Sequence, residues 1–233
     1  MSSPINAKPL LIHLSLFLHL SPGTRSYRYS WFKGSVLEDP LASTICCENQ
    51  DDFKIVTFPG TCMQNLDNCR RGFAVSLWLN QLGTTIGNDG LYFISTGGQR
   101  SESCGFYVRL NSINDTTTPP TGVFDVGIST STMKWQLLFV AELQTAMHLI
   151  VNWKSDKGLD VYVDGLCAGT QVEGFPREPL PVCGADDPFP NFYIGRRNDI
   201  ESGYCNAKIS RIYFNLAWKR PMDIYNEVLE GKL

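Results

Sequence analysis

Histidine, charge and long apolar runs are all scarce in this chain, and each scarcity argues against a class of function. Three of the 233 residues are histidines, and two of them, His13 and His19, lie near the start. His148 is the only other imidazole and no Cys-x2-Cys pair accompanies it, so the sequence does not support a zinc site. Charged residues make up 18% of the chain and the net charge is -3. Nucleic-acid-binding and peripheral membrane proteins would instead show a basic stripe or a polybasic segment.

Catalytic motifs are also missing. The sequence contains no Gly-x-Ser-x-Gly elbow, and Gly97-Gly98 lies between predicted strands rather than before a helix, which argues against a phosphate-binding loop. A retaining glycosidase needs two carboxylates about 5 Å apart. Candidate acids are isolated from one another in the sequence, although a fold can bring such residues together: Glu142, Glu173, Glu178 and Glu201. The sequence therefore predicts a protein that is not an enzyme.

Residues 1–25 resemble a secretory signal peptide. Lys8 precedes an apolar run from Leu10 to Leu20, which is long enough for a signal-peptide core and too short to span a bilayer. Small and turn-forming residues follow the run. A buried N-terminal strand or helix remains the alternative, because two histidines interrupt the run. No later apolar segment approaches 18 residues, so we expect an extracellular, secreted protein without a transmembrane anchor.

The eight cysteines favour the same compartment, because an even number behind a signal peptide is typical of disulfide-bonded proteins. Cys62 and Cys69 are close enough to close their own loop. Cys167 and Cys183 flank a segment rich in proline and glycine, so we expect them to pair. The partners of the remaining four stay open: Cys104, Cys205, Cys46 and Cys47. The last two are adjacent, so each should reach a separate partner.

Asn114 begins the only Asn-x-Ser/Thr sequence in the chain. It lies in a loop rich in threonine and proline, which is where a glycosylation acceptor must be exposed. We therefore predict that Asn114 is glycosylated.

Apolar residues alternate with polar ones in several short segments, and turn residues recur every 8 to 12 positions. The pattern is clearest from His148 to Gly165, where Leu149, Val151 and Trp153 share one face and a polar turn leads into a second alternating run. This spacing predicts an all-β sandwich or barrel in one domain, residues 26–233. Pro221 and an apolar spacing of i, i+3, i+4 predict a short C-terminal helix.

Three stretches resemble the laminin G-like, or concanavalin A-like, jelly-roll family. Cys62 to Leu79 is similar to the cysteine-flanked first core strand of extracellular members. His148 to Gly165 resembles the family's Trp-containing hairpin, and Phe192 to Arg196 followed by Ala207 to Phe214 resembles its last two core strands. The likeness covers about residues 70–230. It implies a two-sheet antiparallel jelly-roll sandwich with a short C-terminal helix.

The resemblance also implies a recognition or adhesion module that binds an extracellular glycan or a matrix or cell-surface protein, in some members with calcium at one rim. Candidate calcium ligands are the acids in predicted turns, chiefly Asp89, Asp156 and Asp199. Candidate ligand contacts are Trp78, which lies opposite the core face of its strand, and the basic pair Arg196 and Arg197, which suits sulfate groups. A structural or assembly domain without a small ligand, and a carbohydrate-active enzyme, are the alternatives.

Overall fold

The computed structural model describes residues 54–229 except 59–60, 84, 144–145 and 179, together with the backbone of four short strands nearer the start. The strands are β1 (Leu20–Ser21), β2 (Thr24–Arg28), β3 (Val36–Leu37), β4 (Ile45–Cys46), β5 (Lys54–Thr57), β6 (Phe73–Gln81), β7 (Leu91–Ser95), β8 (Gly105–Asn114), β9 (Thr121–Ser129), β10 (Met133–Glu142), β11 (Met147–Lys154), β12 (Gly158–Val163), β13 (Leu166–Gln171), β14 (Phe175–Pro176), β15 (Phe192–Ile194) and β16 (Ala207–Asn215). One α-helix follows, α1 (Pro221–Leu229), and short 3-10 turns occupy Cys62–Gln64, Leu66–Asn68 and Gly184–Asp186.

These strands form two sheets. The nine-stranded sheet has the order β1-β2-β5-β15-β7-β8-β9-β10-β14, and the seven-stranded sheet contains β13-β12-β11-β6-β16-β3, with β4 also paired to β16. Every pairing is antiparallel except that of β2 with β5, which is parallel. The all-β antiparallel sandwich predicted from the sequence is therefore confirmed, and the parallel pair is a local departure from it.

The core lies between the sheets, and the alternation in the sequence places it there. Across β11 and β12, Leu149 faces Val163, Val151 faces Val161 and Trp153 faces Leu159. The inner face of the nine-stranded sheet contributes aromatic residues that are 5% exposed or less: Phe93, Phe106, Phe124, Trp135 and Phe139. Burying large apolar side chains from both sheets is the main source of stability in such a sandwich.

Among the strands after β5, β13 and β14 escaped prediction because the segment between Cys167 and Cys183 is rich in proline and glycine. β13 extends the edge of the seven-stranded sheet, whereas β14 pairs with β10 in the other sheet. The chain therefore crosses between the sheets after β13, and we call residues 172–183 the crossing segment. Its backbone hydrogen bonds, rather than side-chain periodicity, order the segment.

Helix α1 begins at Pro221, as predicted. Its Ile224 is fully buried and packs with Ile150 and Tyr162, which belong to β11 and β12. The helix thus covers part of the outer face of the seven-stranded sheet.

No helix within the described ranges is long and apolar enough to cross a membrane.

Residues 1–19, which form most of the predicted signal peptide, lie outside the described residues. Leu20–Ser21 and Thr24–Arg28 form strands at the edge of the nine-stranded sheet. The predicted boundary near residue 25 therefore falls within β2.

Two disulfides are described completely. Cys62 pairs with Cys69, the short-loop pairing expected from the sequence, with their Cα atoms 4.9 Å apart. The expected Cys167–Cys183 pair is wrong: Cys183 is bonded to Cys104, and Cys167 is a free, exposed thiol.

Topology explains the correction, because the crossing segment carries Cys183 away from the seven-stranded sheet to the loop before β8, where Val182 bridges Ser103. Cys205 is disulfide-bonded. The side chains of Cys46 and Cys47 lie outside the described residues.

Candidate ligand groove at the rim

A groove of about 560 Å³ opens at one end of the sandwich. Four segments line it, residues 66–70, 130–135, 153–156 and 172–174. They are the turn before β6, the β9–β10 connection, the β11–β12 turn and the crossing segment after β13. We call this cavity the rim groove. Its volume lies in the range of small-molecule binding sites, and its walls are loops held by a rigid sheet framework.

Two tryptophans form the floor of the rim groove. Trp135 and Trp153 come from facing sheets and meet edge to face, with ring centroids 5.3 Å apart. The Trp135 indole Nε1 donates to the carbonyl of Val172 at 3.4 Å. The Trp153 indole N–H is shielded from solvent and has no hydrogen-bond partner in the structure. A buried donor without a partner is costly. Among the described residues lining the groove, this N–H is the one buried side-chain polar group that lacks a partner.

Gly174 lets the chain lie against the floor. A Cβ at this position would be 2.7 Å from the Trp135 ring, so a larger residue would push the crossing segment away from the indole. The groove wall at residues 172–174 therefore depends on the glycine.

Polar and charged side chains line the walls. Three carry carboxylates, Asp67, Asp156 and Glu173, and one, Arg70, carries a guanidinium group. The Asp67 carboxylate accepts the backbone N–H of Ser131 at 3.2 Å, which ties two walls together. Hydroxyl groups come from the adjacent turns: Thr130, Thr132 and Ser155.

Asp156 projects from the β11–β12 turn next to a lysine of the same hairpin. The Lys154 Nζ lies 2.9 Å from the carboxylate. A hydrogen bond from this ammonium group lowers the pKa of Asp156 below its ordinary value. The carboxylate is therefore ionised in neutral solution and keeps lone pairs for a further donor.

Arg177 holds one wall of the groove in position. Arg177 is 7% exposed. Its guanidinium group donates to four backbone carbonyls, those of Arg100, Ser101, Ser103 and Thr130. Its own N–H bonds to the carbonyl of Thr132. These bonds fasten the crossing segment to the β9–β10 turn and to the loop that holds the Cys104–Cys183 disulfide.

The three candidate calcium ligands do not converge. Asp156 lies in the rim groove, whereas Asp89 and Asp199 share an ion-pair network around Arg197. Burial would raise the pKa of Asp199, but hydrogen bonds from Arg100, Gln99 and Arg197 bring it below its ordinary value. Within the described residues, no group of three or more histidine, cysteine or acidic side chains is arranged to hold a metal ion.

The basic pair proposed for sulfate recognition is engaged inside the protein. Arg196 is 7% exposed and lies over the ring of Tyr193 at 4.6 Å. Arg197 bonds to Asp199 and, at 3.2 Å, to Asp89. Both guanidinium groups therefore stabilise the loop after β15, and a sulfate group would have to compete with these contacts.

Trp78 lies on the outer face of the seven-stranded sheet, as its alternation predicted, but away from the rim groove. Its half-buried indole stacks on His148, with ring centroids 5.2 Å apart. His148 itself is 3% exposed. His148 lies in β11, the first strand of the hairpin that the alternation from His148 to Gly165 predicts.

Asn114 ends β8 and is exposed. Its side-chain oxygen accepts hydrogen bonds from the backbone N–H and hydroxyl of Thr116, which closes a turn across the glycosylation sequence. The asparagine predicted to be glycosylated therefore lies at an accessible position, at the end of β8.

Sequence patterns predict individual strands and turns that line the rim groove, but they do not predict that these elements form a groove. Trp135 and Trp153 fit the apolar alternation of core strands, and the turn residues near Asp156 fit an ordinary hairpin. Glu173 lies in the segment rich in proline and glycine between Cys167 and Cys183. The groove arises only when the β10–β14 pairing brings this segment over the β9–β10 turn.

No family model matches the sequence, and no curated protein matches it either. Solved structures do match the fold. The receptor binding domain of the botulinum neurotoxin C/D mosaic serotype is 12% identical, with a TM-score of 0.55 over 85% of this chain and 45% of that chain. The binding domain of botulinum neurotoxin DC in complex with SialylT is 15% identical, with a TM-score of 0.52 over 84% of this chain and 45% of that chain.

The chain thus spans less than half the length of these binding domains. At identities this low, the likeness describes the fold alone. The fold is a two-sheet antiparallel jelly-roll sandwich.

Proposed function

We propose that this chain is an extracellular, non-catalytic recognition module that binds a glycan or a protein through the rim groove. The observation that carries the proposal is the groove itself: four loop segments converge there on a rigid floor of two tryptophans. Solved neighbours of the same fold are receptor-binding domains, one of them in complex with SialylT. Loops held by a sandwich are common recognition surfaces.

Catalysis fits the groove poorly. Hydrolases commonly use a nucleophile with a neighbouring base or a pair of carboxylates with separated pKa values. Among the described lining residues there is no histidine, and the one cysteine, Cys69, is in a disulfide. Asp156 has a lowered pKa, which suits a permanent charge rather than a general acid.

Secretion and membership of the laminin G-like family belong to the same proposal. The two described disulfides support an oxidising compartment, and the exposed Asn114 turn supports glycosylation. The resemblance in the β11–β12 hairpin and in the last two core strands supports the family assignment.

The test is binding of the chain, secreted from eukaryotic cells, to an array of glycans and matrix proteins, with calcium and then with EDTA. A variant that fills the groove, Ser155→Trp, places a large ring at an exposed turn position. Its control is Ser112→Trp, which adds the same ring at an exposed position of β8 outside the groove.

We expect selective binding that weakens by about tenfold or more in Ser155→Trp and by less than about twofold in the control. Loss of binding in EDTA would show that recognition requires calcium. Unchanged binding in EDTA would show that it does not. Equal binding by the two variants would mean that the binding site lies outside the rim groove. No selective binding in either condition would refute the recognition role and favour a structural or assembly domain.

A further inference from the structure

We propose that the rim groove selects neutral glycans, whose uncharged sugar rings present adjacent hydroxyl groups. The inference rests on the proposed function and names the ligand class of the same site. Every hydroxyl of a sugar both donates and accepts a hydrogen bond, so the site that suits it must offer both kinds of group. The walls and floor of the rim groove do so.

Acceptors outnumber donors on the walls. The carboxylates of Asp67, Asp156 and Glu173 accept hydrogen bonds and cannot donate when ionised. Arg70 supplies N–H donors, and Thr132 and Ser155 supply hydroxyl groups of either polarity. An array of this kind matches neighbouring sugar hydroxyls, which donate to a carboxylate on one side and accept from a guanidinium or hydroxyl on the other.

The charge of the walls disfavours acidic glycans. Among the described lining residues, three carboxylates face one guanidinium group. A sialic acid carboxylate or a sulfate group would meet net negative charge from the lining residues, of which Arg70 is the one described cation. Arg196 and Arg197, which suggested sulfate recognition in the sequence, are outside the groove and bonded internally.

A basic peptide is disfavoured by contacts within the protein. Asp67 already accepts the backbone N–H of Ser131, and Asp156 already pairs with Lys154 at 2.9 Å. Of the three groove carboxylates, that of Glu173 alone has no hydrogen-bond or ion-pair partner among the described residues. Lys154 partly neutralises Asp156, and both partnered carboxylates keep free lone pairs, which suits a neutral donor better than a second cation.

The floor provides the independent observation. Trp153 is 1% exposed, lines the groove, and has an indole N–H without a partner. The unpaired donor needs an acceptor oxygen, and a sugar hydroxyl that reaches the Trp153 indole would supply one. Such an oxygen distinguishes a sugar from an ammonium or guanidinium group, which has no acceptor to offer.

The experiment measures the Kd of the secreted chain for three probes: neutral oligosaccharides of mannose, galactose and glucose, sialylated or sulfated versions of the same chains, and a peptide rich in lysine. Glu173→Gln removes a charge but keeps an acceptor, and Glu142→Gln is its matched control on exposed β10 surface. The indole N–H signal of Trp153, measured by NMR, reports directly on the floor.

We expect a neutral oligosaccharide to bind and to shift the Trp153 indole signal. Glu173→Gln should weaken this binding by about threefold or more, because an amide oxygen is a weaker acceptor than a carboxylate, whereas Glu142→Gln should stay within about twofold of the wild type. Ser155→Trp should abolish the shift. Acidic versions should bind about tenfold more weakly or not at all.

If an acidic glycan or the basic peptide binds best and Ser155→Trp abolishes that binding, the neutral-glycan inference is wrong and groove recognition stands. If binding is insensitive to Ser155→Trp, or if no probe binds, the inference falls, and only the wider array of glycans and matrix proteins can then uphold groove recognition.

Discussion

At the scale of single residues, buried polar groups determine which substitutions and which changes of pH this domain tolerates. Arg177 shows the satisfied case, because four carbonyl oxygens surround its guanidinium group. His148 shows the unsatisfied case. Its backbone N–H bonds to Asp164 at 2.8 Å, while its Nε2 is buried without a partner in the structure. The two residues therefore differ in how they respond to substitution and to pH.

The pH dependence of His148 follows from its burial. Desolvation lowers the pKa of His148 below its ordinary value, and Lys219 lowers it further, while Asp164 opposes the shift. In the unfolded chain the imidazole takes up its proton near pH 6.5, before the folded protein does. The unfolded state therefore binds more protons as the pH falls below about 6.5, and the protein loses stability in that window.

We predict that His148→Phe removes this dependence. Phenylalanine keeps a ring against Trp78 and replaces a buried nitrogen that has no partner, so the variant should match or exceed the wild-type stability near pH 7. Urea unfolding at pH 5, 6, 7 and 8 measures the free energy of unfolding of both proteins. A variant that loses stability below pH 6.5 as steeply as the wild type would contradict the assignment to His148.

At the scale of elements, glycine sets how closely the turn before β6 approaches the end of β11. Gly72 has a φ of +72°, and a Cβ there would lie 2.2 Å from the carbonyl oxygen of Trp153. The turn that carries Asp67 and Arg70 can reach the groove only because this backbone contact is possible.

Gly72→Ala should therefore lower the free energy of unfolding by about 3 kcal/mol or more, from backbone strain and from displacement of the turn. Gly87→Ala is the control, because a Cβ there meets nothing within 4 Å. We expect that control to be neutral or slightly stabilising. Denaturant unfolding compares the two, and equal effects would mean that the close approach at Gly72 does not constrain the turn.

Sequence patterns predicted those elements whose side chains alternate between core and solvent. The β11–β12 hairpin and the helix at Pro221 were predicted in this way, and both are observed. β13 was missed because all six of its residues are partly or fully exposed, so it has no buried periodicity to detect. The groove depends on that missed region and on pairing across the sheets, which no local pattern encodes.

At the scale of the whole molecule, the disulfide between Cys104 and Cys183 closes the longest described covalent loop. The two residues are 79 positions apart and join the loop before β8 to the end of the crossing segment. The sequence favoured Cys167 as the partner because it flanks the same proline-rich stretch. Chain separation alone could not choose between them, since the choice depends on which sheet receives residues 172–183.

The pairing makes a quantitative prediction for stability. Removing a cross-link over a loop of this length relaxes the unfolded chain, and the double variant Cys104→Ser/Cys183→Ser should lose about 4 kcal/mol of unfolding free energy. Cys167→Ser changes only an exposed free thiol and should stay within about 0.5 kcal/mol of the wild type. Non-reducing urea unfolding measures both, and mass spectrometry after thiol labelling should find one adduct fewer in Cys167→Ser. A large loss in Cys167→Ser, with no missing adduct, would instead support the Cys167–Cys183 bond expected from the sequence.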